Sequence, residues 1–181
     1  MFINSFLARD STLPHTLMRT RGIRPVMSRS SASPADNDEL LIKITKKGKS
    51  VFARRNYRKG EFIIEFRGRR YSMDEYKKRL NPRNNHFLQI DTDVYLGPTR
   101  TADNYINHSC DPNSGIRIVD GRVLLHAIKA IRRGDEISFD YSTSMAEDYW
   151  EMDCSCGSRL CRRRVRDFRY LPEEIKKKYI R

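Results

Sequence analysis

From Leu40 to Tyr141 the chain alternates short apolar runs with polar turns. The runs "LLIKI", "SVFARR", "EFIIEFRG", "HFLQID", "DVYLG", "GIRIV", "RVLLHAIKAI" and "EISFDY" are rich in Val, Ile and Phe, and they read as strands. Lys47-Gly48, Lys59-Gly60, Asp120-Gly121 and Arg133-Gly134 punctuate them as turns. Only two stretches carry helix signals. "SMDEYKKRL" opens on Ser72 with Glu75 three residues on, the spacing of a capping box, and "LPEEIKKKY" has Pro172 placed for a first turn. The pattern predicts a mainly β domain with a few short helices, without internal repeats and without a Gly-rich strand-to-helix phosphate loop.

Periodicity is absent before this region. Residues 1–38, which include "TRGIRPVMSRSSASPADND", are rich in Ser, Arg and Pro and read as a disordered leader. Arg9, Arg19, Arg21, Arg24 and Arg29, with Asp10 the only acid before Asp36, equally suit an organelle transit peptide, and Met27 offers a second start. With 181 residues and 38% hydrophobic content the chain suits one folded domain with loose ends. No run approaches the length of a spanning helix, so the expectation is a soluble intracellular protein without membrane contact, nuclear in a eukaryote and cytoplasmic in a prokaryote.

A net charge of +13 favours anionic partners. Much of it is local: from Gly157 to Arg181 ten Lys or Arg face three acids. Residues 167–181 are expected to form a basic, helical C-terminal tail. Two readings stand for its charge, a solvated surface or a patch that docks on nucleic acid or chromatin. Arg162 to Arg164 read as solvated in the same way.

The four cysteines are unevenly placed. Cys154, Cys156 and Cys161 crowd into "CSCGSRLC", while Cys110 stands apart in "NHSCDPN". The first three are too close for a web of unstrained disulfides, and an intracellular compartment keeps thiols reduced. Three thiolates leave a tetrahedral zinc one ligand short, and Cys110 is the remaining cysteine able to close the site. A structural zinc ion held by Cys110, Cys154, Cys156 and Cys161 is the leading reading; unpaired thiols and redox chemistry are the alternatives. Zinc would staple the C-terminal segment to the loop carrying Asn107 and His108.

"GKSVFA", "NHSCDPN", "GDEISFDY" and "CSCGSRLC" follow one another in the order found in SET-domain protein lysine methyltransferases with a post-SET zinc motif, and residues 40–165 resemble that family. The resemblance implies small β-sheets around a C-terminal pseudoknot, with a SET domain over 39–143 and a zinc-stapled post-SET segment over 144–166. It implies S-adenosylmethionine as methyl donor and a protein substrate with an exposed lysine, a histone tail or another basic tail among the candidates. Tyr141 matches the catalytic tyrosine. Gly48, Lys49, Ser50 and Val51 match the early cofactor loop, and Asn107, His108 and Tyr141 also match cofactor-binding positions.

The chain departs from the family in places. Ser50 stands where a second Gly is common, His86 where a cofactor-facing Tyr often occurs, and Asn104 where an Arg precedes the "NH" loop. Phe66, Tyr105 and Phe139 fall at positions of the lysine channel, and Phe66 replaces a common Tyr. Neither Phe can hold a channel water or bond an amine, which points to di- or trimethylation. Tyr149 and Trp150 either anchor the following loop or stack on cofactor or flanking substrate. The competing reading of the whole chain is a catalytically weak SET-like zinc module that binds chromatin or nucleic acid.

Overall fold

The computed structural model describes residues 38–81 and 85–179. The leader expectation lies outside the described residues apart from Asp38. Strands β1 (Leu40–Thr45) and β2 (Gly48–Ala53) form an antiparallel hairpin that turns at Lys46–Lys47 and enters β2 through Gly48, whose φ of 93° suits a residue without a Cβ. β3 (Phe62–Phe66), β8 (Ser114–Val119) and β9 (Arg122–Ala127) form a sheet in the order β3-β9-β8. β4 (Arg70–Ser72), β5 (Leu88–Asp91) and β6 (Val94–Leu96) form another, in the order β4-β6-β5. Val51, Ile63, Phe66, Leu125, Ile137 and Phe139 are buried in a core shared by the hairpin and these sheets.

Helix α1 (Met73–Arg79) follows β4 directly. Its capping box forms as expected: Glu75 N–H donates to Ser72 Oγ, and Ser72 N–H donates to the Glu75 carboxylate at 3.0 Å. The helix buries Tyr76 against Tyr95, the rings stacked 4.0 Å apart.

Two elements decide where the site lies. β7 (Asn107–His108) and β10 (Ser138–Phe139) pair in parallel, Ser138 beside Asn107 and Phe139 beside His108. Asn113 clamps the incoming strand, accepting from Ser138 N–H and donating to the Glu136 carbonyl. The four cysteines then gather beneath this pair, and the short ladder of β11 (Met152–Asp153) with β12 (Arg164–Val165) closes the loop that carries three of them.

The C-terminal stretch folds back more than a basic tail suggests. Val165, Asp167 and Leu171 are buried, a 3₁₀ turn spans Phe168–Tyr170, and α2 covers Glu173–Tyr179. Its arginines find partners on the segment after Tyr141: Arg164 and Arg166 pair with Glu151, and Arg169 with Asp148. Arg162 departs from the solvated expectation, with a side chain 13% exposed and its guanidinium 2.6 Å from Asp140. Part of the local excess charge is therefore neutralised within the fold. No helix among the described residues is long and apolar enough to cross a membrane.

Candidate active site

"SFDY" is extended at its start, so alternate side chains leave the backbone on opposite sides. Phe139 and Tyr141 face a common cavity, whereas Asp140 between them turns to the C-terminal segment. The cavity wall is largely aromatic. Phe66 meets Phe139 edge-on at 5.5 Å, Phe139 lies 4.9 Å from Tyr141, and the Trp150 ring follows at 6.4 Å. The Tyr141 hydroxyl donates to the Ile106 carbonyl at 2.8 Å. Burial, followed by the Glu136 charge, pushes its pKa well above the ordinary phenol value, so the group stays protonated.

Gly68 and Gly97 explain how the wall closes. Gly68 has a φ of 146°, and a Cβ there would overlap the Gly97 carbonyl; a Cβ on Gly97 would overlap the Tyr71 ring. The loop after Phe66 therefore packs backbone on backbone.

The residues matched to the cofactor loop gather on the other side of β7. Asn107 Nδ2 donates to Ser50 Oγ at 2.7 Å, to Glu136 Oε1 at 3.0 Å and to the Lys49 carbonyl at 3.3 Å. Ser50 is fully buried, and its hydroxyl also shares a hydrogen bond with Thr45, so it serves as a buried acceptor where the family often has Gly. Val51 is core, its carbonyl accepting from Ile137 N–H. Lys49 lies over the Tyr105 ring at 4.5 Å, which places Tyr105 beside the hairpin and outside the aromatic cavity lining. His86 does line that cavity, with Asn104. Burial lowers the His86 pKa against a bond to the Asn104 backbone. A second, polar cavity opens between Lys47, His108, Ser109 and Glu136.

His108 joins this loop to the cysteines. Burial holds its pKa down to about 4, so the ring is neutral. Tyr141 N–H donates to Nδ1 at 3.2 Å, which leaves the proton on Nε2, 3.2 Å from Cys110 Sγ. Arg162 N–H donates to the same sulfur at 3.3 Å. The four sulfurs lie within 4.8 Å of one another, with Cys154 Sγ 3.7 Å from Cys110 Sγ and 3.6 Å from Cys161 Sγ. Four sulfurs around zinc at about 2.3 Å stand about 3.8 Å apart. The residues present therefore fit one zinc ion, and two N–H donors on a single sulfur suit a thiolate ligand.

Several participants escape the sequence pattern. The Ile106 carbonyl is a main-chain group with no residue signature. Asp140 sits inside "SFDY", yet its role appears only through Arg162 and through Tyr179, whose hydroxyl donates to Asp140 Oδ2 at 3.2 Å from 39 residues away. The signal available was Arg162 following Cys161 directly, which ties its backbone to the metal cluster.

Comparison with known proteins agrees with this geometry. The SET domain family model matches residues 48–142. Histone-lysine N-methyltransferase trr of Drosophila melanogaster is 30% identical over 138 residues, a match covering 70% of this chain and 6% of that protein. The variant-silencing SET domain-containing protein of Plasmodium falciparum is 35% identical over 140 residues, covering 68% and 5%. Histone-lysine N-methyltransferase ASHH3 of Arabidopsis thaliana is 31% identical over 137 residues, covering 69% and 37%. The chain thus spans well under half the length of these relatives. A crystal structure of Arabidopsis thaliana SUVH6 in complex with SAM superposes with a TM-score of 0.61 at 23% identity, covering 70% of this chain and 33% of that one, and shares the fold.

Proposed function

Since the chain belongs to the SET-domain family, we propose that it transfers methyl groups from S-adenosylmethionine to a lysine side chain of a protein. The observation that carries this reading is the Tyr141 hydroxyl, part-buried and anchored on the Ile106 carbonyl in the wall of a cavity built from Phe66, Phe139 and Trp150. When bound, the cofactor supplies an electrophilic methyl group on a sulfonium. His108, in the wall of the polar cavity, with Asn107 and the exposed Gly48–Lys49 corner beside it, would hold it, whereas Ser50 and Val51 are buried and support that corner from within.

The chain's own residues prepare the nucleophile. A lysine ammonium has an ordinary pKa near 10.4 and no lone pair until it loses a proton. Apolar aromatic walls disfavour the charged form and fix the direction of approach. The Tyr141 oxygen donates its proton to Ile106 and keeps lone pairs that can accept an N–H of the entering amine. Phe66 and Phe139 offer no such acceptor, so a partly methylated amine can turn and react again, and the expected products are di- and trimethyl-lysine. The names of the relatives support a histone as substrate, and a nuclear location with it.

Incubating the protein with S-adenosylmethionine and mixed histones, then mapping modified lysines by mass spectrometry, tests this reading. Multiply methylated lysines are expected. Cofactor binding without any lysine product in histones or a whole-cell extract would refute it and favour a binding module.

A further inference from the structure

Trp150 is the only tryptophan of the chain, and its surroundings are specific. The ring is 8% exposed and lines the aromatic cavity beside Tyr141. The Nε1–H group is buried and has no hydrogen-bond partner among the described residues. A buried donor left unmade is costly, and native structures rarely keep one without a purpose.

The polar side chains that line the same cavity make their hydrogen bonds elsewhere, and none of them bonds Trp150 Nε1. Asn85 Oδ1 accepts from Phe87 N–H, Asn104 Oδ1 from Thr99 N–H, and the Asp103 carboxylate from Thr99, Thr101 and Arg67 N–H. Ser144 Oγ spends its own proton on the Tyr141 carbonyl. The backbone just before Trp150 is also held in an uncommon shape. Asp148 has a φ of 58°, a left-handed conformation that Asp tolerates better than most residues, and its N–H is fixed by Asp167 at 2.7 Å. That turn leaves Tyr149 half exposed under Lys77 and buries the next residue, Trp150, in the cavity wall.

We propose that Trp150 Nε1–H donates a hydrogen bond to a main-chain carbonyl of the polypeptide substrate, at or beside the target lysine. This rests on the lysine-methylation reading. A lysine side chain offers only methylenes and one amine, and the amine lone pair must stay free for attack on the methyl group. The acceptor that accompanies every lysine in a protein is its own main-chain carbonyl. Trp150 therefore recognises the substrate as polypeptide, independently of flanking side chains, and its contact acts on binding rather than on the methyl transfer itself.

A single tryptophan gives a single indole N–H resonance, so the wild-type protein reports on itself. With S-adenosylhomocysteine bound, acetyl-Gly-Lys-Gly-amide is titrated against n-pentylamine, which carries the amine but no carbonyl. The proposal expects the indole proton to move downfield with the peptide and to stay in place with the amine. Trp150→Phe, which keeps an aromatic wall and removes the N–H, should raise KM for that peptide about fivefold, the equivalent of one hydrogen bond, and by a larger factor than it lowers kcat. A peptide that is methylated without moving the resonance overturns the proposal, as does a resonance that moves on adding the cofactor alone. Methylation of extract proteins with no binding of the short peptide overturns it too, while leaving the enzyme reading intact. Absence of methyl transfer to any lysine overturns both.

Discussion

Phe139, at the end of β10, and Tyr141, at the start of a 3₁₀ turn, share a wall, and Asp140 between them caps that turn and serves a different purpose. Phe139 contributes a ring edge without a hydrogen-bonding group, so Phe139→Tyr adds a hydroxyl to the cavity between Phe66 and Tyr141. The product ratio should then shift toward monomethyl-lysine, measured by mass spectrometry at matched turnover; an unchanged ratio would count against the channel argument. The identity of these aromatic residues was legible in "SFDY", because the motif is contiguous in the chain. The Ile106 carbonyl was not, since any residue type would present it. Ser50 shows the same limit: its departure from Gly was visible, but its use as acceptor for Asn107 depends on a partner 57 residues away.

Among elements, the longer strands and both helices follow the hydrophobic pattern, whereas β4, β7, β10, β11 and β12 have two or three residues each and carry no period of their own. Pairing partners far along the chain create them. The C-terminal segment is the clearest case, because its composition reads as a solvated tail while Arg162 and Tyr179 converge on Asp140. Arg162→Ala leaves a buried carboxylate short of its cation and should cost about 3 kcal/mol in denaturant unfolding, against about 1 kcal/mol for Tyr179→Phe. Equal small effects would mean the cluster is not coupled. Asp167 makes a pH prediction in the same segment. Burial, then the Glu147 charge, raises its pKa to about 7. A carboxyl whose folded pKa lies above its unfolded value stabilises at low pH and loses that contribution as pH rises through about 7. Melting temperature should therefore fall from about pH 4 to about pH 7 and level off above that, and Asp167→Asn should flatten this decline; parallel curves for the two proteins would contradict it.

At the scale of the molecule, the cysteine cluster links the C-terminal segment to the β7 loop, with His108 bridging from Cys110 Sγ to the Tyr141 backbone. Metal analysis should find about one zinc per chain, and chelation should loosen the post-SET face and the Tyr141 turn together. Protection of the Tyr141 and Arg162 amides from hydrogen exchange is the readout, and retained protection after zinc loss would show that the staple is dispensable. The zinc cluster was legible in the sequence because four cysteines and tetrahedral geometry leave no remainder. Its coupling to the Tyr141 turn was not, since it runs through a histidine tautomer fixed only by the folded backbone. The central claim concerns Tyr141, and the most direct test is transfer of labelled methyl from S-adenosylmethionine to histones and cell extract by wild type and by Tyr141→Phe, with cofactor affinity and zinc content measured for both. Transfer by wild type, falling about 100-fold or more in the variant while both bind cofactor and zinc alike, is the predicted result. Equal transfer by the two proteins would contradict the role assigned to the Tyr141 hydroxyl.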